Sequence, residues 1–135
     1  MQQLTCKSYA KLNLCLHILN KRKDGYHNIE SIFCIIDFYD ILTFKKNNLN
    51  EIIFQTNSNE INSSYNLVTK AYNVISDLYD IEGIDIFLDK KIPIGSGLGG
   101  GSSNAAVTLL ALNDIFKLSI SEDALMKISE EIGSD

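Results

Sequence analysis

The stretch Lys90–Phe116, KKIPIGSGLGGGSSNAAVTLLALNDIF, decides how the rest of the chain is read. Five of the eight glycines fall between Gly95 and Gly101, and the one proline, Pro93, stands just ahead of them. A strand pattern, GIDIFLDK, comes before the glycines, and an apolar helical pattern runs on from about Ser102 to Phe116. Strand, glycine turn and helix start together make an anion site. The first amides of a helix have no partners within it, and the helix dipole adds partial positive charge there. Glycines let the backbone approach an anion closely and take up positive φ. Ser102 and Ser103 add hydroxyl donors. A flexible linker fits poorly, because the loop runs straight into the apolar face expected from Ala105, Ala106, Leu109, Leu110 and Phe116.

Several phosphate loops share this outline. Gly95, Gly97 and Gly100 match GxGxxG, but a dinucleotide fold also needs an acidic residue ending a second strand about 20 residues on. Asp114 and Asp123 both fall on expected helices. A Walker loop fails too, since Gly101 follows Gly100 where a lysine is required. A protein-kinase glycine loop lies in a hairpin, and here a helix comes next.

The first half of the chain reads as strands. Leu12, Leu14, Leu16 and Ile18 alternate with polar or small residues. The pair Asp24-Gly25 is a hairpin signal, because both central positions of that turn favour positive φ. YHNIESIFCIIDFYDILTF continues as strand, with a break expected near Asp37–Asp40, and EIIFQT is a further short strand. Helical spacing takes over at Leu67, Ala71, Val74, Ile75 and Leu78, with Asn66 as N-cap. A last helix is expected over Ser121–Ile132, started by a cap at Ser119 or Ser121 and stopped at Gly133. Strands first and helices later imply an α+β domain with helices on one face of a sheet.

The 135 residues suffice for one such domain, and a net charge of −5 disfavours a broad hold on nucleic acid or anionic lipid. Lys21, Arg22 and Lys23 read as a solvated turn. Cys6, Cys15 and Cys34 show no ligand spacing and are expected as buried free thiols in a reducing compartment. With no signal-peptide pattern and no long apolar run, a cytoplasmic location is expected.

The segment PIGSGLGGGSSNAA, Pro93–Ala106, resembles the ATP loop of the GHMP kinase superfamily. Two further segments agree. AKLNLCLHILNKRKDGYHNIES, Ala10–Ser31, is similar to the N-terminal block of the branch that acts on a cytidine diphosphate derivative of methylerythritol. GSD, Gly133–Asp135, looks like the start of that branch's catalytic segment. The resemblance implies the GHMP N-terminal domain, a ribosomal protein S5 domain 2-like fold with a mostly antiparallel sheet. It implies transfer of phosphate from ATP, with Mg2+, to the 2-hydroxyl of the methylerythritol part, in the non-mevalonate route to isoprenoids.

Carried over residue by residue, the resemblance makes Asp135 the base and Lys11 its polarising partner. Pro93, Ile94, Gly95, Ser96, Gly97, Leu98, Gly99, Gly100, Gly101, Ser102 and Ser103 would hold the phosphates of ATP. Asn66, Leu67 and Lys91 would line the adenine pocket. Asn13 would contact substrate or order Lys11, Tyr26 would stack on cytosine, and His27 would bond its polar edge. No side chain is assigned to the metal. Because members of that family are about twice as long, this chain is expected to lack the C-terminal GHMP domain and to have little activity alone. The alternatives are another small-molecule GHMP kinase, separable by whether the cytidine substrate stimulates ATP use, and a non-catalytic nucleotide-binding module or dinucleotide oxidoreductase domain, separable by titration with ATP and NAD.

Overall fold

Four strands form one mixed sheet in the order β1-β2-β4-β3, in a computed structural model that describes residues 3–21 and 27–133, with backbone alone between 13 and 33. β1 (Gln3–Lys21) and β2 (His27–Asn47) make a long antiparallel ribbon. β2 then pairs antiparallel with β4 (Gly83–Asp89), while β3 (Ile52–Thr56) pairs parallel with β4. A parallel neighbour needs a crossover, and α1 (Leu67–Leu78) provides it between β3 and β4. α2 (Gly100–Ile115) and α3 (Glu122–Ile132) complete the chain order.

Alternation sets the layers. Leu42 and Phe44 on β2, Ile84, Ile86 and Leu88 on β4 and Phe54 on β3 point to one face and are buried. The helices cover that face through Val68, Ala71, Tyr72 and Ile75 of α1, Ala105, Leu109 and Leu112 of α2, and Leu125 and Ile128 of α3. Each such large side chain contributes about 1.5–3 kcal/mol by leaving water. The α+β layer and the mainly antiparallel sheet are therefore as expected. Two apolar positions are not: Ala106 and Leu110 lie on the exposed side of α2, because Thr108 and Asn104 take buried places instead.

The caps explain where the helices begin. Asn66 accepts from the Thr69 N–H, and Thr69 Oγ1 accepts from the Asn66 N–H, a reciprocal box at the start of α1. Ser121, not Ser119, caps α3. Two expectations need correction. β2 is not broken near Asp37–Asp40. The register shifts there instead, with three residues of β2 (36–38) facing Ala10 of β1 between the Tyr9–Tyr39 and Lys11–Ile35 pairs. Such a bulge bends a strand and re-aims the side chains beyond it. Cys34 is exposed rather than buried, and Cys6 is half-buried, its thiol pushed up by burial and by Asp114. Cys15 belongs to the stretch with backbone only. No helix among the described residues is long and apolar enough to cross a membrane.

Candidate functional site

A cleft of about 800 Å³, within the roughly 300–1,000 Å³ usual for small-molecule sites, opens between the glycine loop, the start of α1 and β1. The loop leaves β4 through Lys90–Ile92 and turns with positive φ at Gly95, Gly97 and Gly99. Gly99 is the N-cap of α2, at φ 70 and ψ 23, and offers no side chain to the helix. The first α2 amides are therefore open to an outside acceptor, since the first intrahelical bond runs from Ser103 N–H to Gly99 O. Helix α2 thus begins two residues earlier than the apolar pattern suggests, at Gly100. Its glycines weaken helix propensity yet bring these amides to the cleft. Gly100 is also required by space. A Cβ there would lie 2.8 Å from Lys90 Nζ and 2.9 Å from Ile92 Cγ2.

A buried polar hub holds the loop from behind. Asp40, just past the β2 bulge and fully buried, accepts from Lys90 Nζ at 2.7 Å and from Asn104 Nδ2 at 3.0 Å. Its other oxygen accepts the backbone N–H groups of Lys91 at 2.6 Å and Ile92 at 2.8 Å. Asn104 also donates to Ser8 Oγ at 2.8 Å, and Ser8 donates to Ser103 Oγ at 2.9 Å. β1, β2, the end of β4 and α2 are so joined through one carboxylate. Burial alone would push the Asp40 carboxyl up. The hydrogen bonds from Lys90, Ile92, Lys91 and Asn104 outweigh this and hold it below the ordinary carboxylate value, so it stays ionised.

Lys11 and the loop meet directly. The Lys11 N–H donates to Leu98 O at 2.9 Å, and Lys11 lines the same cleft as Gly95, Gly97 and Gly99–Ser102. Pro93, Ile94 and Ser96 complete the loop side. Leu98 and Ser103 do not line the cleft: Leu98 gives its carbonyl to Lys11, and Ser103 is turned to Ser8. On the α1 side, Asn66 and Leu67 form the wall with Ile61, Tyr65 and Val68. The Asn66 carboxamide is already engaged, accepting from Thr69 N–H and donating to Asn62 O at 2.8 Å. Asn66 therefore shapes this wall first, with one N–H and one lone pair of its carboxamide remaining. Lys91 is exposed and does not line the cleft, whereas its neighbour Lys90, with a side chain 7% exposed, lines it together with Lys11. Asn13 pairs with Phe33 and His27 with Lys21 in the ribbon, by backbone alone. Tyr26 and Asp135 lie outside the described residues.

Four residues of the hub, Ser8, Asp40, Lys90 and Asn104, escape a reading by motif. Two of them had a faint signal. Asp40 is a carboxylate in the apolar run IIDFYDIL, and Asn104 opens an apolar helix. A charge or amide at such a place needs a partner.

The cleft fits a nucleotide by two tests. The loop leads into the N-terminus of a sixteen-residue helix whose Gly100 and Gly101 amides precede the first intrahelical bond, suited to a polyphosphate, with Lys11 beside it. The two sides also offer apolar surface suited to a base, Tyr65 at 78% exposed on the α1 side and Ile94 at 49% exposed on the loop side.

This sheet order with a glycine loop leading into α2 defines a class of protein. The chain belongs to the GHMP kinase family: the profile of the GHMP kinases N terminal domain matches residues 66–135. Among curated proteins, a Francisella philomiragia protein named 4-diphosphocytidyl-2-C-methyl-D-erythritol kinase is 45% identical over 131 residues, which is 96% of this chain and 48% of that protein. A protein of the same name from Alkaliphilus oremlandii is 44% identical over 137 residues, covering 100% of this chain and 47% of its own. A crystal structure of 4-(cytidine 5'-diphospho)-2C-methyl-D-erythritol kinase superposes with a TM-score of 0.79 at 29% identity, over 98% of this chain and 47% of that one. The chain spans about half the length of the curated relatives it matches.

Proposed function

We propose that this chain is the ATP-binding half of a cytoplasmic kinase that phosphorylates the 2-hydroxyl of 4-diphosphocytidyl-2-C-methyl-D-erythritol. The observation that carries the reading is the bond from Lys11 N–H to Leu98 O, which sets the lysine proposed for catalysis against the loop proposed for phosphate. The names of the relatives support the choice of substrate.

In this reading the α2 amides and the glycine loop hold the triphosphate of ATP, and the Ile61–Val68 wall holds adenine. Bound with ATP, Mg2+ would offset phosphate charge there. Phosphoryl transfer depends mainly on positioning and charge stabilisation, and the hub behind the loop supplies the first. Lys11 polarises the acceptor hydroxyl, and Asp135 takes its proton. Tyr26 stacks on cytosine, His27 bonds its polar edge, and Asn13 supports Lys11 or substrate. In a flat ribbon the stretch from Lys11 to Lys21 would span roughly 33 Å. One substrate reaching both Lys11 and His27 therefore requires the ribbon to curl. The register shifts at Asn13/Cys15 and Ile18/Lys21 are places where it can.

The test is ATP consumption by the intact protein with and without 4-diphosphocytidyl-2-C-methyl-D-erythritol. Stimulation by that substrate is expected, and its absence would defeat the assignment. His27→Ala should raise KM for the cytidine substrate about tenfold, the worth of one hydrogen bond of roughly 1.4 kcal/mol, and leave KM for ATP in place. Equal losses for both substrates would remove His27 from base recognition.

A further inference from the structure

Helix α3 ends against the usual electrostatic preference. Its last turn carries Glu130 and Glu131 and no basic residue, although a helix C-terminus bears partial negative charge. The cation comes from another helix. Lys70 Nζ of α1 donates to the carbonyl of Ile132, the last residue of α3, at 3.0 Å in a partly buried contact. Ile132 itself is buried, and Gly133 stands next at φ 138, where the helix stops. Ser134 and Asp135 come after it in the sequence.

The other end of the contact is equally placed. Lys70 sits one turn beyond Asn66, and its own N–H donates to the Asn66 carbonyl at 2.9 Å. Asn66, Leu67 and Val68 form the α1 wall of the cleft. One lysine thus links the cleft wall to the end of α3, 62 residues away in sequence.

We infer that Lys70 is a positioning residue: it anchors the C-terminus of α3 to the nucleotide wall and so sets the point from which the chain departs toward Asp135. The inference rests on the reading of Asp135 as the base. A cation satisfying an orphan carbonyl steadies a helix end. Here that end lies three residues before the group that must meet the acceptor hydroxyl, and small misplacement of such a group is costly to rate. Lys70 is not among the residues that line the cleft, so its effect is expected on turnover rather than on ATP affinity.

The experiment compares Lys70→Met and Lys70→Arg in the intact protein, with Asp135→Asn alongside. Measured are kcat with ATP and 4-diphosphocytidyl-2-C-methyl-D-erythritol, ATP affinity by titration, and the thermal midpoint. Lys70→Met is expected to lower kcat by roughly tenfold to a hundredfold with ATP affinity retained. Lys70→Arg is expected to recover most of that loss, since a guanidinium also donates to a carbonyl. Wild-type kcat in Lys70→Met overturns the inference. So does an arginine variant as slow as the methionine one, or a fall in kcat matched by a fall in ATP affinity and thermal midpoint. If Asp135→Asn remains active, the base assignment fails and the inference falls with it. If Asp135→Asn is inactive while Lys70→Met turns over normally, the Lys70 inference alone fails.

Discussion

Replacing Asp135 by Asn in the intact protein is expected to lower kcat by about 10²–10⁴-fold, the contribution of a positioned general base, with ATP binding retained. The expectation comes from a division of labour. The loop amides, the α1 wall and the hub that fixes them are built from residues between Ser8 and Asn104, so nucleotide affinity is expected to survive loss of the Asp135 carboxylate. The asparagine keeps the shape and loses the proton acceptor. Lys11→Ala supplies the complementary result. Loss of the ammonium proposed to polarise the acceptor hydroxyl should lower kcat while ATP binding is retained. Turnover by Asp135→Asn close to wild type, or an ATP affinity that falls in step with kcat, would remove Asp135 from the role. Wild-type kcat in Lys11→Ala would remove Lys11 from the catalytic step.

Asp40→Ala is expected to destabilise the fold by about 3–5 kcal/mol, because it leaves a buried ammonium without its counter-ion. Domains of this kind have about 5–15 kcal/mol in total, so this single change removes a large part of it. The loss has two sources. Lys90 loses its partner at 2.7 Å, and the N–H groups of Lys91 and Ile92 lose their acceptor. Denaturant unfolding measures the effect. Adding Lys90→Met to Asp40→Ala should restore part of the stability, since an uncharged side chain needs no counter-ion. A double variant no more stable than Asp40→Ala would move the cost from the charge to the backbone donors. The pH dependence has a definite sign. The Asp40 carboxyl is held below its unfolded value, so its contribution is present above the ordinary carboxylate range. It is lost as pH falls through the lowered value. Wild type should show this acid-induced loss, and Asp40→Asn should lack that component. Wild type and Asp40→Asn losing stability in parallel on acidification would contradict the assignment.

Local signals in the chain gave local structure well. Asn66 and Ser121 cap the helices they were expected to start, since a cap depends only on three or four neighbouring residues. The ribbon strands end at Lys21 and resume at His27, while the Asp24-Gly25 turn expected between them lies outside the described residues. The glycine loop and Lys11 were legible because their pattern resembles a known family. The hub was not, for a physical reason. Asp40 meets residues 50 to 64 positions away, and no periodicity relates them. The same carboxylate suggested a strand break at Asp37–Asp40. In the fold, the bulge opposite Ala10 keeps the strand continuous and delivers Asp40 inward to waiting donors. Lys90 and Lys91 show a related limit: adjacent lysines at a strand end face different ways, and only the packing decides which one enters the cleft.

The bond between Lys11 and Leu98 has a consequence for solubility. β1 is an outermost strand of its sheet, and a bare outermost strand invites pairing with a second molecule. The glycine loop spends a carbonyl on that strand at Lys11, within the stretch a foreign strand would use. A chain whose loop has been pried off, by strain at Gly99 or by loss of the hub, would therefore present a template for self-association as well as a damaged cleft.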